Sequence, residues 1–410
     1  MGCRFKVVGL GACALALCLP HSAGAVLCDE LPLPNKLYGV GHNALTPILE
    51  EVARRLEQDP KRTDERTTVL YVDSLGACGS YQAFLDGKVT GRFFYWTEEP
   101  YTFELCDARD GGQPLDFAYL PAAVDYCSQL PLPADVVARR GLVHGVSLVT
   151  GLQSPERSIS AEALYLIYGF GPDGQASPWT DGSGIFAAEG FNRDVLGFAI
   201  GVPPERFHDD TPPTIGTTFH HVMGYASDAT RATQAIGFAS LAAVDAQRSN
   251  VKPLAYQHFG QDCGVWPDSN DSAFDKLNVR LGKYALWQQG SFLARVNAQS
   301  NVVNDHVANF MGWFDGSSQP PGTEVDVFPA VIEEGGLPDC AMQASREGSV
   351  GSLSSYAPPK PCGCAFEALA NPHDPNPCHP CSSDSECGGD APRCNFGFCE
   401  GYRAAAASEG

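Results

Sequence analysis

Basic side chains are scarce in this chain: 27 Lys and Arg face 48 Asp and Glu, for a formal net charge of −21. A nucleic-acid backbone or an anionic membrane has to be met by Lys and Arg, so this balance excludes both as partners. Long apolar runs are missing after residue 25, so no integral membrane span is expected in the mature chain. The nucleophile elbow G-x-S-x-G is absent. His220-His221 lack the i, i+4 spacing of a zinc helix. Asp209-Asp210 read as acidic neighbours in a turn before Pro212-Pro213. The acidic stretch Asp268 to Asp275 lacks the glycine and the final glutamate of a calcium loop. No nucleophile, base and orienting group assemble, so the chain is read as a non-enzyme without metal or cofactor.

What is present is cysteine, 16 residues of it, in a chain that is 44% hydrophobic and 10% aromatic. That composition suits a folded protein of an oxidising compartment. The N-terminus agrees. Arg4 and Lys6 precede the apolar run Val7 to Leu19, and Ala23-Gly24-Ala25 has small residues at both cleavage positions. This is a secretory signal peptide, cut after Ala25, which places the mature protein in the periplasm or at the cell surface. A rival reading takes Leu10-Gly11-Ala12-Cys13 as a lipobox that leaves a lipid on Cys13, although only Val7 to Leu10 would precede it.

Export removes Cys3, Cys13 and Cys18, and 16 − 3 leaves 13 cysteines, an odd number that requires one unpaired or intermolecular thiol. Eight of them, Cys340 to Cys399, crowd the end. Between the sparse and dense parts, Ser345 to Pro361 is rich in Ser, Gly and Pro and reads as a semi-extended linker. The Cys-x2-Cys of the tail, with His373 or His379, also has the residues of a zinc site. Export and cysteine density favour disulfides, which a small module of low apolar content needs.

The larger part alternates strand and helix patterns, the mark of an α/β class with mainly parallel sheets. Leu45, Ile48, Leu49, Val52 and Leu56 have helical spacing. Thr67 to Asp73, Val146 to Val149 and Val251 to Tyr256 read as buried strands. Ser160 caps a helix with Glu162 in its first turn and Gly169 as its stop. Two strand-to-helix loops are candidate ligand sites. The first is Gly39-Val-Gly41-His42-Asn43-Ala44 before Pro47, and the second is Asp73-Ser74-Leu-Gly-Ala-Cys-Gly-Ser80. A helix N-terminus at such a loop offers free N–H groups to an anion. An ordinary β-α turn explains the first loop at least as well, a capped helix start is the favoured reading of the second, and a dinucleotide fingerprint lacks its third glycine near position 44.

Taken in order, "LYGVGHNALTPILEEV", "VLYVDSLGACGSYQAFLDGK", "SISAEALYLIYGFG" with "PWTD", "IGFASLAAVDAQRSNVKPLAY" and "FDKLNVRLGKYALW" resemble the phosphate-transport type of periplasmic substrate-binding protein. The resemblance covers about residues 35–295 and leaves the Cys-rich tail outside it. It implies a two-lobed, class II periplasmic-binding-protein-like fold with two crossover strands and a ligand in the cleft. Lobe 1 would be residues 26–140 and 255–340, lobe 2 residues 141–254, followed by a linker at 341–361, a Cys-rich module at 362–402 and a flexible tail at 403–410.

The family loops carry over onto Gly41, His42, Asn43 and Ala44, with Asn43 where a hydroxyl residue is usual, and onto Ser74. The family aspartate, which accepts a proton from the oxyanion, should follow the next strand; Phe93 to Glu99 offers Thr97 or Glu98 there. The second-lobe loop falls either at Gly182 to Ile185 or at Gly190-Phe-Asn192 with Arg193, and the second register leaves Ile185 to Ala188 as the strand before it. The implied partners are a small anion or other small solute, phosphate or another oxyanion among them, and an ABC transporter membrane complex. The alternative is an extracellular adhesion or scaffold protein with a degenerate cleft and a partner-binding tail.

Overall fold

The computed structural model describes residues 26–99, 102–180, 183–186, 190–208, 215–226, 231–371 and 378–401. The expected export segment lies outside them, as do Asp209-Asp210, Gly182 and His373.

A mixed sheet of ten strands forms the frame. Its strands are β1 (Lys36–Gly41), β2 (Thr68–Val72), β3 (Arg92–Trp96), β4 (Phe103–Asp107), β5 (Phe117–Leu120), β6 (Val136–Gly151), β7 (Gly184–Ile185), β8 (Ala235–Ser240), β9 (Val251–Pro253) and β10 (Trp287–Arg295). The order is β7-β8-β6-β10-β5-β1-β2-β3-β4, with β9 also on β6. β1 pairs in parallel with β2 and β5, and β7 with β8. The long strands β6 and β10 run antiparallel to each other and to their neighbours. The sheet is therefore parallel within each lobe's centre and antiparallel where the lobes join.

The helices are α1 (Thr46–Gln58), α2 (Gly76–Leu85), α3 (Ala161–Phe170), α4 (Phe191–Ile200), α5 (Ile215–Ala226), α6 (Leu241–Ala246), α7 (Leu277–Arg280), α8 (Asp305–Gly312), α9 (Val327–Glu333) and α10 (Gly363–Ala370). They cover both faces of both halves of the sheet. One apolar cluster pairs Ile48, Leu49 and Val52 of α1 with Phe117, Phe292 and Phe310, and another packs Tyr81 and Phe84 of α2 on Val40 and Leu70. In the other half, α3 and α4 lie on Leu148 and Phe238, while α5 covers Val149 and Ala239. β6 and β10 carry residues of both halves: Leu142 and Phe292 pack in one lobe, Val146 and Trp287 in the other. These two strands are the crossovers of a two-lobed α/β fold.

Local expectations hold where the pattern is strong. The predicted face of α1 is buried at Ile48, Leu49, Val52 and Leu56, with Pro47 in the first turn. Ser160 accepts from the Ala163 N–H at 3.2 Å, as an N-cap does. The stop differs: α3 runs through Gly169 to Phe170 and ends at Gly171, whose φ of 58° suits glycine. The run Val251 to Tyr256 divides between β9 and the short strand Ala255–Gln257, which pairs with Ser158–Ser160.

The expected linker is a correction. Residues 341–361 are packed, not extended: Met342 and Ala344 are buried, and Ala344–Arg346 (β11) and Leu353–Ser355 (β12) form a hairpin. The Ser and Gly content that suggested a spacer supplies its tight return and bonds. Ser349 donates to Asp125 from its N–H at 3.0 Å and its hydroxyl at 2.8 Å. The Cys-rich tail is docked as well, through the stacked pair Phe328–Phe396 and the Arg280–Glu367 ion pair at 2.9 Å.

The tail cysteines form disulfides. Cys381, Cys387 and Cys394 cluster, but Cys381 is bonded to Cys394 and Cys387 to Cys399. Cys364–Cys378 and Cys340–Cys362 complete the tail, and Cys28–Cys106 and Cys78–Cys127 staple the first lobe. Among the described residues Cys263 is the unpaired cysteine, and it is exposed. In protein expressed from residue 26, iodoacetamide without reductant is expected to alkylate Cys263 alone. Peptide mass mapping that finds a second alkylated cysteine would contradict the six pairings.

Candidate functional site

The parallel pairing of Val40 with Val72 puts the loops after β1 and β2 side by side. His42, Asn43, Ala44 and Ser74 therefore share one end of the sheet, at the starts of α1 and α2. The start of α4 meets them from the other lobe: the Phe191 ring lies edge-on to His42, with centroids 5.7 Å apart. Three helix N-termini from two lobes converge there.

Each expected residue has a definite place. Gly41 is buried, and a Cβ there would strike the Tyr71 hydroxyl and lie 2.7 Å from the Tyr119 carbonyl. Its absence of a side chain is thus required by packing. His42 turns its Nδ1 inward to accept from the Ala44 N–H at 3.1 Å, and its carbonyl accepts from the Tyr71 hydroxyl at 3.1 Å. That bond engages the Ala44 N–H within the loop. Asn43 and Ser74 are exposed, and Asn192 is buried in the first turn of α4. Arg193 is held over the Phe207 ring at 5.4 Å, within its own lobe.

Thr97 is a correction. β3 runs antiparallel to β2, with Phe94 opposite Tyr71, so the end of β3 lies at the opposite edge of the sheet. Glu98 shares that place: its carbonyl accepts from Gln58 at the C-terminal end of α1, at 2.8 Å. The strand that continues the parallel order is β5, beside β1. Its Phe-Ala-Tyr-Leu is a short apolar run followed by one 3-10 turn, Val124–Tyr126, and no α-helix, so no local signal marks it.

Residues that the sequence did not single out complete the site. The Tyr119 hydroxyl and His144 Nε2 share a short hydrogen bond. His144 also meets the Phe191 ring, at 6.3 Å. Tyr126 donates its hydroxyl to Asp194, and its ring stands edge-on to Phe191 at 5.8 Å. Asp73 accepts the Thr46 hydroxyl at 2.9 Å, which places a carboxylate at the start of α1. Tyr119, Tyr126, His144 and Asp194 come from segments far apart in the chain, so no motif could have gathered them, whereas Asp73 belongs to the second candidate loop.

The charge of the site is low. Burial lowers His42 from 6.5 to about 4. Burial, with the nearby His42, lowers His144 to about 3. Both rings are neutral at pH 7. Burial and the bond to Asp194 raise the Tyr126 hydroxyl. The arrangement can offer backbone and hydroxyl donors, neutral imidazoles, an aromatic wall and two carboxylate acceptors, Asp73 beside Thr46 and Asp194 beside Tyr126. Among the described residues no helix is long and apolar enough to cross a membrane.

No family model matches the chain, and no curated protein does. Solved structures similar to it include an ABC-type phosphate transport receptor from Vibrio cholerae, at 14% identity over 73% of this chain and 99% of that chain, with a TM-score of 0.47. A putative phosphate ABC transporter substrate-binding protein with bound phosphate from Clostridium perfringens is similar at 13% identity over 74% and 99%, with a TM-score of 0.45. PstS from Borrelia burgdorferi is similar at 12% identity over 74% and 98%, with a TM-score of 0.43. At these values the ligand is not assigned by likeness.

Proposed function

We propose that this protein is exported and non-enzymatic and captures a small solute between its two lobes. The observation that supports this reading is the convergence of the α1, α2 and α4 N-termini on His42 and Phe191. Such ends carry partial positive charge and N–H donors, which suit a small oxyanion without a full cation nearby. Asp73 refines the choice. A carboxylate repels a fully ionised anion but accepts a proton from one that still carries it, so phosphate is the ligand class over sulfate. In this proposal Asp73 takes the acceptor role expected of Thr97 or Glu98, and the exposed Ser74 hydroxyl is a donor. An ABC-type membrane complex is the partner that such capture would serve.

The test is thermal unfolding of protein from residue 26, with phosphate, sulfate, molybdate and sugars. A ligand at 100-fold its Kd should add about 2.7 kcal/mol. Ser74→Ala should weaken phosphate about tenfold, the loss of one hydrogen bond to a charged group. Asp73→Asn should reverse the preference for phosphate over sulfate. An unchanged preference would remove Asp73 from the site.

One observation favours a second reading, an adhesion or scaffold protein with a vestigial cleft. The Phe191 ring fills space beside His42, and the Tyr126–Asp194 bond holds α4 against the first lobe. No stabilisation by any solute tested would select this reading.

A further inference from the structure

One turn of the first lobe reaches across to the second. It is Val124–Tyr126, after β5, and its neighbourhood divides between the lobes. Val124 and Cys127 pack on the first lobe's cluster with Tyr81 and Phe84, while Tyr126 packs on the second lobe's cluster with Leu148 and Phe238.

Two adjacent side chains of the turn bond across the lobes. Tyr126 donates its hydroxyl to Asp194 of α4. Asp125 accepts from the Ser349 N–H at 3.0 Å and from its hydroxyl at 2.8 Å. Ser349 lies between β11 and β12, and that hairpin sits on the second lobe through buried Ala344 and through Arg346, which donates to the Ala285 carbonyl at 2.8 Å. The hairpin tip is shaped for this contact: Gly348 has φ 65°, and a Cβ there would strike the Asp125 carboxylate. The crossover strands have a place to bend, because β10 loses register between Gln289 and Ser291.

A latch holds only if its base is fixed. Here the base is the Cys78–Cys127 disulfide, which ties the turn to the first turn of α2. Among the disulfide-bonded cysteines Cys78 is the exposed one, whereas Cys28, Cys106, Cys340, Cys362 and Cys399 are buried. Exposure admits an attacking thiolate, and the start of a helix favours the thiolate that reduction produces.

We propose that Cys78–Cys127 is a redox-labile clamp on an interlobe latch, opened by an external dithiol. A thiolate of the dithiol attacks Cys78 Sγ, the protein S–S bond breaks, and Cys127 leaves as a thiolate. The second thiol closes the dithiol into a cyclic disulfide and releases Cys78, so two electrons and two protons pass to the protein. The turn then loosens and the lobes separate. This regulates the capture proposed above but rests only on its two lobes, so it is tested with no solute present.

The whole chain from residue 26 is treated with graded dithiothreitol, alkylated with iodoacetamide and mapped by peptide mass. Cys78 and Cys127 should be labelled about tenfold faster than any other bonded pair. At that dose the small-angle scattering radius should grow while far-ultraviolet circular dichroism stays unchanged. Asp125→Ala with Tyr126→Phe removes the cross-lobe side-chain bonds of the turn but keeps the disulfide, and should enlarge the radius without reductant. Cys78→Ser with Cys127→Ser should match the reduced protein and ignore dithiothreitol. Earlier reduction of another bridge, or a radius unchanged either by labelling of Cys78 and Cys127 or by the Asp125 and Tyr126 substitutions, would overturn the proposal.

Discussion

Acidification from pH 7 to pH 4 is expected to destabilise the fold through His42 and His144, by roughly 3–5 kcal/mol together at about 1.36 kcal/mol per pKa unit. Their folded values, about 4 and about 3, lie below the ordinary 6.5. Below pH 6.5 the unfolded chain therefore binds protons that the folded one refuses. The stability from these rings is complete above about pH 6.5 and is lost as pH falls through the folded values. Both rings are only partly covered, so the figure carries a discount for their solvated edges. The groups around them explain the sign. Phe191 and Tyr119 face the imidazoles, and neither can compensate a new positive charge.

The measurement is urea unfolding of wild type and His144→Gln between pH 7 and pH 4. The variant should show a flatter profile, by about 2 kcal/mol over that range. Buried carboxylates such as Asp116 and Glu400 are raised by burial and act in the opposite sense, but they are common to both proteins and cancel. Parallel profiles would mean that His144 is protonated normally in the folded state. Because these rings join α4 to the first lobe, acid should also loosen the cleft before global unfolding. A small-angle scattering radius that grows from pH 7 to pH 4 in the folded protein would show it.

Asp268→Asn is the most damaging single substitution expected, at about 3–5 kcal/mol, the cost of leaving a buried charge unpaired. Asp268 is fully buried and accepts from the Lys276 N–H and Nζ, both at 2.8 Å, and from Arg248. Lys276 is 4% exposed and also pairs with Asp245 at 2.6 Å. Arg248 and Lys276 both face the Phe274 ring, at 4.9 and 5.9 Å. Two cations and two anions are thus sealed in one apolar setting, and removal of one anion leaves a net positive charge there. Asp271→Asn is the control. Its ion pair with Arg157 is largely exposed, so its loss should cost at most about 1 kcal/mol. Comparable unfolding midpoints for the two variants would show that the buried set contributes little.

This cluster also shows why part of the molecule was unreadable in sequence. The pattern of Asp268 to Asp275 does not fit a calcium loop. What neutralises it is Arg248 on the C-terminal side of α6, together with Lys276, and local spacing cannot announce such a partner. Thr97 went astray for a related reason. Strand content was visible in Phe93 to Trp96, but strand direction was not. An antiparallel strand and the next parallel strand look alike in composition, yet they deliver their ends to opposite sides of a sheet. The Ser-Gly-Pro stretch read as a linker carries few apolar residues, and its burial comes from the lobe beneath it.

The sequence by itself determined the periodic and the countable. It set the buried face of α1, the β2 run, the Ser160 cap, the order of the α/β units and, for a chain beginning at residue 26, the need for one unpaired cysteine, because these depend on near neighbours or on parity. Only the tertiary structure decided which strand lies beside β1, which cysteines pair, and that His42, His144, Tyr126 and Phe191 meet. Those outcomes depend on the sheet's strand order and on the way β6 and β10 carry the chain between lobes. Such contacts join residues tens or hundreds of positions apart, where no local pattern records the partner.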